Sequence, residues 1–154
     1  MKVYLVQHGE AVDKEINPDR PLSAKGREEV ETVAAFLQKA GVQVPVIWHS
    51  GKTRALETAE ILAARIAPGG LIIAHAGLDP KDDPRSVLGK IEHADTDFAI
   101  VGHLPLLSRL TSLLLTGKDK HEPVAFERGG VVAIEKGETG QWQLRWAITP
   151  SLLR

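Results

Sequence analysis

Met1-Lys2-Val3-Tyr4-Leu5-Val6-Gln7-His8-Gly9 opens the chain, and its reading decides the fold. Val3 to Val6 has the length and β-branched character of a short buried strand. It ends in polar residues and a glycine, and a polar loop then runs to Pro21. The apolar run is too short for a signal peptide or a membrane span, so a cytoplasmic protein is expected.

Outward from that strand, strand-like and helix-like segments alternate. Ser23 reads as an N-cap; Val30, Val33, Ala34 and Leu37 follow at helical spacing, and Gly41 stops the helix. Val44 to Trp48 reads as a second strand. Ser50 is placed to cap a second helix with an apolar face of Ala55, Leu56, Ala59, Leu62, Ala63 and Ile66, broken by Pro68-Gly69-Gly70. Leu71 to Ala74 is a third strand. Asp83-Pro84 opens a short helix carrying Val87, Leu88 and Ile91. Phe98 to Val101 is a fourth strand, and Pro105 opens a leucine-rich helix. Gly130 to Ile134 and Gln141 to Trp146 read as two strands joined by a Gly137–Gly140 turn. This alternation predicts an α/β fold with a mostly parallel sheet, in one domain spanning 1–154.

The 154 residues are 43% hydrophobic and 25% charged, which is ordinary globular composition. There is no cysteine, which excludes disulfides and thiolate chemistry. The net charge of −1 comes without a basic block or acidic tail, so neither nucleic acid nor an anionic membrane is an expected partner. A monomer is the default, since no long apolar edge is evident.

Ligands of open α/β sheets bind beyond the carboxyl ends of the strands. That rule singles out Gln7-His8-Gly9, His49-Ser50 through Arg54, and Gly102-His103. Imidazole is a competent nucleophile toward phosphorus. His8 is placed for that role, with Gly9 expected to admit a ligand close to the backbone. Arg54, in the first turn of the second helix, offers a planar fork matched to phosphate oxygens. A protonated His103 would neutralise developing charge. Gly51-Lys52-Thr53 resembles the tail of a P-loop, but Val46 stands where the first glycine of that motif belongs. The histidines lack local metal-ligand spacing, and no metal is expected.

In combination and order, these stretches resemble the histidine phosphatase superfamily, and within it the small SixA-type phosphohistidine phosphatases. The resemblance rests on Leu5-Val6-Gln7-His8-Gly9-Glu10-Ala11, Arg20-Pro21-Leu22-Ser23, Ser50-Gly51-Lys52-Thr53-Arg54-Ala55 with Thr58, and Val101-Gly102-His103-Leu104-Pro105. It implies a phosphoglycerate mutase-like three-layer α/β/α sandwich and a covalent phospho-His8 intermediate. Catalytic roles then fall to His8 and His103, and substrate binding to Gln7, Gly9, Arg20, Arg54 and Leu104. No cofactor is implied. The expected partners are phosphate and a phosphohistidine-bearing protein such as a phosphotransfer domain.

Two departures bear on activity. The family places arginine immediately before the nucleophile, where this chain has Gln7. An amide donates hydrogen bonds but brings no charge, and Arg20 or Lys14 is a candidate to supply it. Ester-cleaving relatives carry a glutamate that protonates the alkoxide; no clear equivalent is present. Asp79 is the available proton donor, or else a turn residue. Imidazole leaves readily once protonated, so the missing acid favours phosphohistidine over esters. A phosphatase for small esters or phosphoramidates, and a catalytically weakened phosphoprotein-binding module, remain the alternatives.

Overall fold

The computed structural model describes residues 1–154. Its six strands are β1 (Lys2–Gln7), β2 (Val46–His49), β3 (Leu71–Ala74), β4 (Phe98–Gly102), β5 (Val131–Lys136) and β6 (Trp142–Ile148). They form one sheet in the order β3-β2-β4-β1-β5-β6. The β3-β2, β2-β4 and β4-β1 pairings are parallel, whereas β5 is antiparallel to both neighbours. The sheet is therefore mixed and mostly parallel, with β5 alone running against the rest.

Four helices, α1 (Ala24–Lys39), α2 (Thr53–Ile66), α3 (Arg85–Glu92) and α4 (Leu106–Thr116), cover the two faces. Successive strand side chains point to opposite faces, and β1 divides accordingly. Tyr4 and Val6 pack with Val30, Val33 and Leu37 of α1 and Leu62 and Ile66 of α2. Val3 and Leu5 pack with Val87 and Ile91 of α3 and Leu106, Leu107 and Leu110 of α4. Burial on both faces explains why the strand is a continuous apolar run instead of an alternating one. The result is the expected three-layer sandwich. No helix is long and apolar enough to cross a membrane.

Ser23 caps α1, accepting a hydrogen bond from the Gly26 amide at 3.0 Å. Ser50 does not cap α2: the N-cap is Lys52, and no side chain caps the helix. A 3-10 turn at Pro150–Leu153, which the sequence pattern did not signal, packs beside α1. The free edge at β3 is apolar, with Leu71 62% exposed, but only four residues long.

The loop after β1 crosses α1 closely. A side chain at Gly26 would stand 2.1 Å from the Glu10 carbonyl oxygen, and one at Gly9 would stand 2.8 Å from Val30 Cγ2. Gly9 is therefore required by packing against α1. The space that its missing side chain leaves is filled by protein, so it does not open the backbone to a ligand.

Candidate active site

The carboxyl ends of β1, β2 and β4 bring His8, Arg54 and His103 together. The His8 and His103 rings lie 5.0 Å apart, centroid to centroid, and both residues are buried. His8 takes its place from the sheet: its amide donates to the Gly102 carbonyl at 3.1 Å, continuing the β1-β4 ladder by one residue. Thr58, fully buried in α2, ties the next residue to the helix. Its Oγ1 accepts from the Gly9 amide at 3.0 Å and donates to the Arg54 carbonyl at 2.7 Å. One hydroxyl thus locks the loop carrying His8 to the helical turn carrying Arg54.

His8 Nδ1 lies 2.7 Å from the Gly9 carbonyl oxygen. A carbonyl only accepts, so Nδ1 carries the proton and Nε2 presents its lone pair. Burial, foremost, lowers the His8 pKa from 6.5 to about 4; the bond to Gly9 opposes this, while Arg54, Arg20 and Arg128 reinforce it. The ring is neutral at pH 7.

Ser50, freed from capping, pairs with His103 Nε2 at 2.6 Å. Its oxygen also accepts from the Lys52 amide at 3.3 Å and keeps a proton and a second lone pair, so it can donate to Nε2 or accept from it. His103 Nδ1 is buried without a protein partner. Burial, then His8, Arg54, Lys52 and Arg20, push the His103 pKa down to about 3. This corrects the expectation of a protonated His103: in the protein alone the ring is neutral.

Arg54 Nε is likewise buried without a partner, and burial followed by the Arg20 charge lowers its pKa. The uncapped start of α2 adds backbone amides to the same place. Unpaired donors on an arginine and a helix N-terminus, beside an unpaired imidazole nitrogen, suit one kind of guest, a compact anion with several oxygens.

Arg20 joins the group through backbone strain. It has φ of 49°, unusual for a residue with a side chain, and its Nε donates to the Val12 carbonyl at 3.1 Å. Its charge bears on His8, Arg54 and His103, whereas Lys14 does not figure among the cations acting on either ring. Gln7 Oε1 is buried and unpaired. Leu104 is 39% exposed beside His103. Asp79 is exposed in a turn, where its amide donates to Asp82 Oδ2 at 2.9 Å. The following Pro80 carbonyl accepts from the Leu106 amide at 3.1 Å, which sets this turn against the start of α4. The Asp79 carboxylate makes no hydrogen bond with either ring. Sequence reasoning passed over Arg128, Lys52 and the Ser50–His103 bond. A cavity of about 500 Å³, lined by Tyr4, Phe36 and Trp146 among others, contains none of these residues.

The two rings make a prediction about stability. Each histidine titrates near 6.5 when unperturbed, against about 4 and about 3 in the fold. Below pH 6.5 the unfolded chain therefore binds protons that the folded chain refuses. Their contribution is complete above that pH and is lost on acidification, by up to about 1.4 kcal/mol per ring per pH unit. Urea midpoints at pH 7, 6 and 5 are expected to fall in that order, and less steeply in His8→Ala. Equal slopes in the two proteins would contradict the burial of a neutral His8.

The model of the histidine phosphatase superfamily (branch 1) matches residues 3–79. An uncharacterised protein of Picosynechococcus sp. is 30% identical over 145 residues, covering 89% of this chain and 86% of that one. The chain belongs to the histidine phosphatase superfamily, whose members are phosphatase hydrolases. Among solved structures, the protein histidine phosphatase SixA complexed with tungstate superposes with a TM-score of 0.86 at 24% identity, over 100% of both chains. A putative phosphohistidine phosphatase SixA from Agrobacterium tumefaciens does so at 0.77 and 20% identity, over 96% of this chain and 97% of that one.

Proposed function

We propose that this phosphatase removes phosphate from a histidine of a partner protein, such as a phosphotransfer domain, through a covalent phospho-His8 intermediate. The observation that carries the reading is the His8 tautomer, whose Nδ1 is engaged by Gly9 and whose Nε2 is free in a neutral ring. His8 Nε2 attacks phosphorus, the bond from phosphorus to the substrate imidazole breaks, and that imidazole departs with a proton taken up at its released nitrogen. Water then attacks phospho-His8, releasing phosphate and restoring the ring. The Arg54 guanidinium and the His103 ring face the phosphoryl oxygens throughout, and Arg20 supplies further charge. Gln7 and Leu104 line the site around them, and Gly9 holds the His8 loop against α1.

A protonated imidazole is a good leaving group, so this chemistry needs no strong acid close to the rings. Asp79, in the turn set against the start of α4, is the available donor to a leaving group, and the absence of the glutamate found in ester-cleaving relatives favours phosphohistidine over an alkyl ester. Full-length likeness to structures described as phosphohistidine phosphatases supports the same substrate class. The test is incubation with a phosphohistidine protein and, separately, an aryl phosphate, with acid-labile phosphoenzyme trapped. Rapid turnover of the former with label on His8 is expected. Equal rates on both would shift the assignment to a general phosphatase, and binding without turnover would reduce the protein to a binding module.

Gln7→Arg is expected to raise kcat/KM on the phosphohistidine protein about tenfold, since a charged hydrogen bond contributes about 1.5–3 kcal/mol and ~1.4 kcal/mol is one decade. Steady-state rates of the two proteins check this. An unchanged or lower rate would mean that the new guanidinium does not reach the phosphoryl oxygens.

A further inference from the structure

We propose that Arg128, on the loop entering β5, is a phosphate-binding arginine of this site and supplies charge that Gln7 lacks, with Glu10 as its resting partner. The inference rests on the phosphatase reading of the pocket and assigns the recognition of its phosphoryl group to one more residue.

The placement of Arg128 is built in on both sides. The next residue, Gly129, donates its amide to the Gln7 carbonyl at 2.9 Å, and the His8 carbonyl lies within reach at 3.3 Å. The carbonyl of the preceding residue, Glu127, accepts from the Gly130 amide at 2.8 Å, and its carboxylate accepts from the Ser151 amide at 3.0 Å and hydroxyl at 2.8 Å. The backbone at Arg128 is thus fastened to the very residues that define the nucleophile, one of which is the residue that departs from the family's arginine.

At rest that side chain leans on Glu10, with Nη2 3.6 Å from Oε2. Glu10 is already committed elsewhere, to the Ser23 hydroxyl at 2.9 Å and to Lys25 Nζ at 3.9 Å. Both members of the Arg128 pair are partly exposed, at 53% and 27%. Such a pair is weak and easily exchanged. A phosphoryl group on His8 carries more charge than one carboxylate and lies only two residues from Glu10 in the chain. It competes well for the guanidinium, which can grip it by two parallel hydrogen bonds.

The alternatives fit less well. Neither Lys14 nor Lys52 is among the leading charges that depress the His8 pKa, and Lys14 is not among those that depress the His103 pKa. Arg20 is already spent in part, its Nε bonded to the Val12 carbonyl. The arginines whose charges reach His8 are Arg54, Arg20 and Arg128, and of these Arg128 alone adjoins the backbone partner of Gln7.

The test is calorimetric titration of the full chain with inorganic phosphate, using wild type, Arg128→Ala, Arg128→Lys, Gln7→Arg and the double variant Gln7→Arg/Arg128→Ala. Arg128→Ala is expected to weaken phosphate about tenfold, as for the loss of one charge-assisted contact. Arg128→Lys should keep affinity within about threefold, because the charge is retained. In the Gln7→Arg background the loss should shrink to about threefold or less, since the two cations serve one need. An NMR titration of the His8 ring adds a readout that a purely structural residue would not move. The His8 pKa should rise in Arg128→Ala, because a cation that depresses it is gone. Unchanged phosphate affinity in Arg128→Ala overturns the proposal, and so do equal losses in both backgrounds. Phosphate binding that is lost in Arg54→Ala but indifferent to Arg128 sinks this inference alone. Failure of the wild type to bind phosphate sinks the phosphatase reading with it.

Discussion

Replacing His8 by alanine is expected to lower turnover of a phosphohistidine protein at least about a thousandfold, because the covalent route disappears with its nucleophile. No phosphoenzyme should be trapped. Phosphate should still bind, since Arg54, His103 and the start of α2 remain. That retained binding, with an unchanged circular dichroism spectrum, separates a chemical defect from a folding one. His8→Ala turning over at a tenth of the wild-type rate would rule out the covalent intermediate. His8→Asn is a stricter variant, because its amide preserves a donor toward the Gly9 carbonyl while removing the imidazole lone pair; it should be equally inactive.

The second large effect belongs to Arg54. Truncation to alanine removes a half-buried guanidinium whose Nε has no protein partner to leave behind. The loss therefore falls on the anion. Phosphate affinity should drop roughly ten- to 150-fold, the equivalent of a charged hydrogen bond, and kcat by about a hundredfold or more where the transition state concentrates charge on the same oxygens. Arg54→Lys should recover only part of this, since a lysine brings the charge without the planar fork. Removing the Arg54 charge should also raise the pKa of both rings, as it helps to depress each. Calorimetry, steady-state kinetics and ring titration check the three statements. Wild-type phosphate affinity in Arg54→Ala would remove the guanidinium from the site.

The residues of the site differed in how far the sequence revealed them. His8 and His103 were legible because each follows a short apolar run ending at a polar break. A buried strand cannot hide such a transition. Arg54 was legible from its place one turn into a helix that follows a strand. Ser50 was misread for a physical reason. A serine just before a helix is ordinarily its cap, and only the fold brings His103, 53 positions away, within 2.6 Å as a competing partner. His103 was assigned the wrong charge because burial and four neighbouring groups set its basicity. None of these can be counted along the chain. Gly9 was recognised as necessary, but its neighbour proved to be Val30 of α1. Arg128 carried no signal at all. Its relevance depends on the direction of β5, and alternating residues that mark a strand do not say which way it runs.

That reversed direction has a consequence for how the protein can vary. In a parallel strand the incoming segment arrives at the amino end, far from the chemistry, and only the outgoing loop can touch a ligand. β5 runs against its neighbours, so the stretch between Thr116 and Val131 enters the sheet on the catalytic side. This stretch holds no helix or strand of its own. Its end at Gly129 is tied to Gln7 and His8, whereas the part from Gly117 to Phe126 can change length or charge without disturbing a rung of the sheet. The molecule thus keeps its nucleophile on rigid framework and a replaceable wall opposite, and new substrates can be accommodated by editing that wall alone.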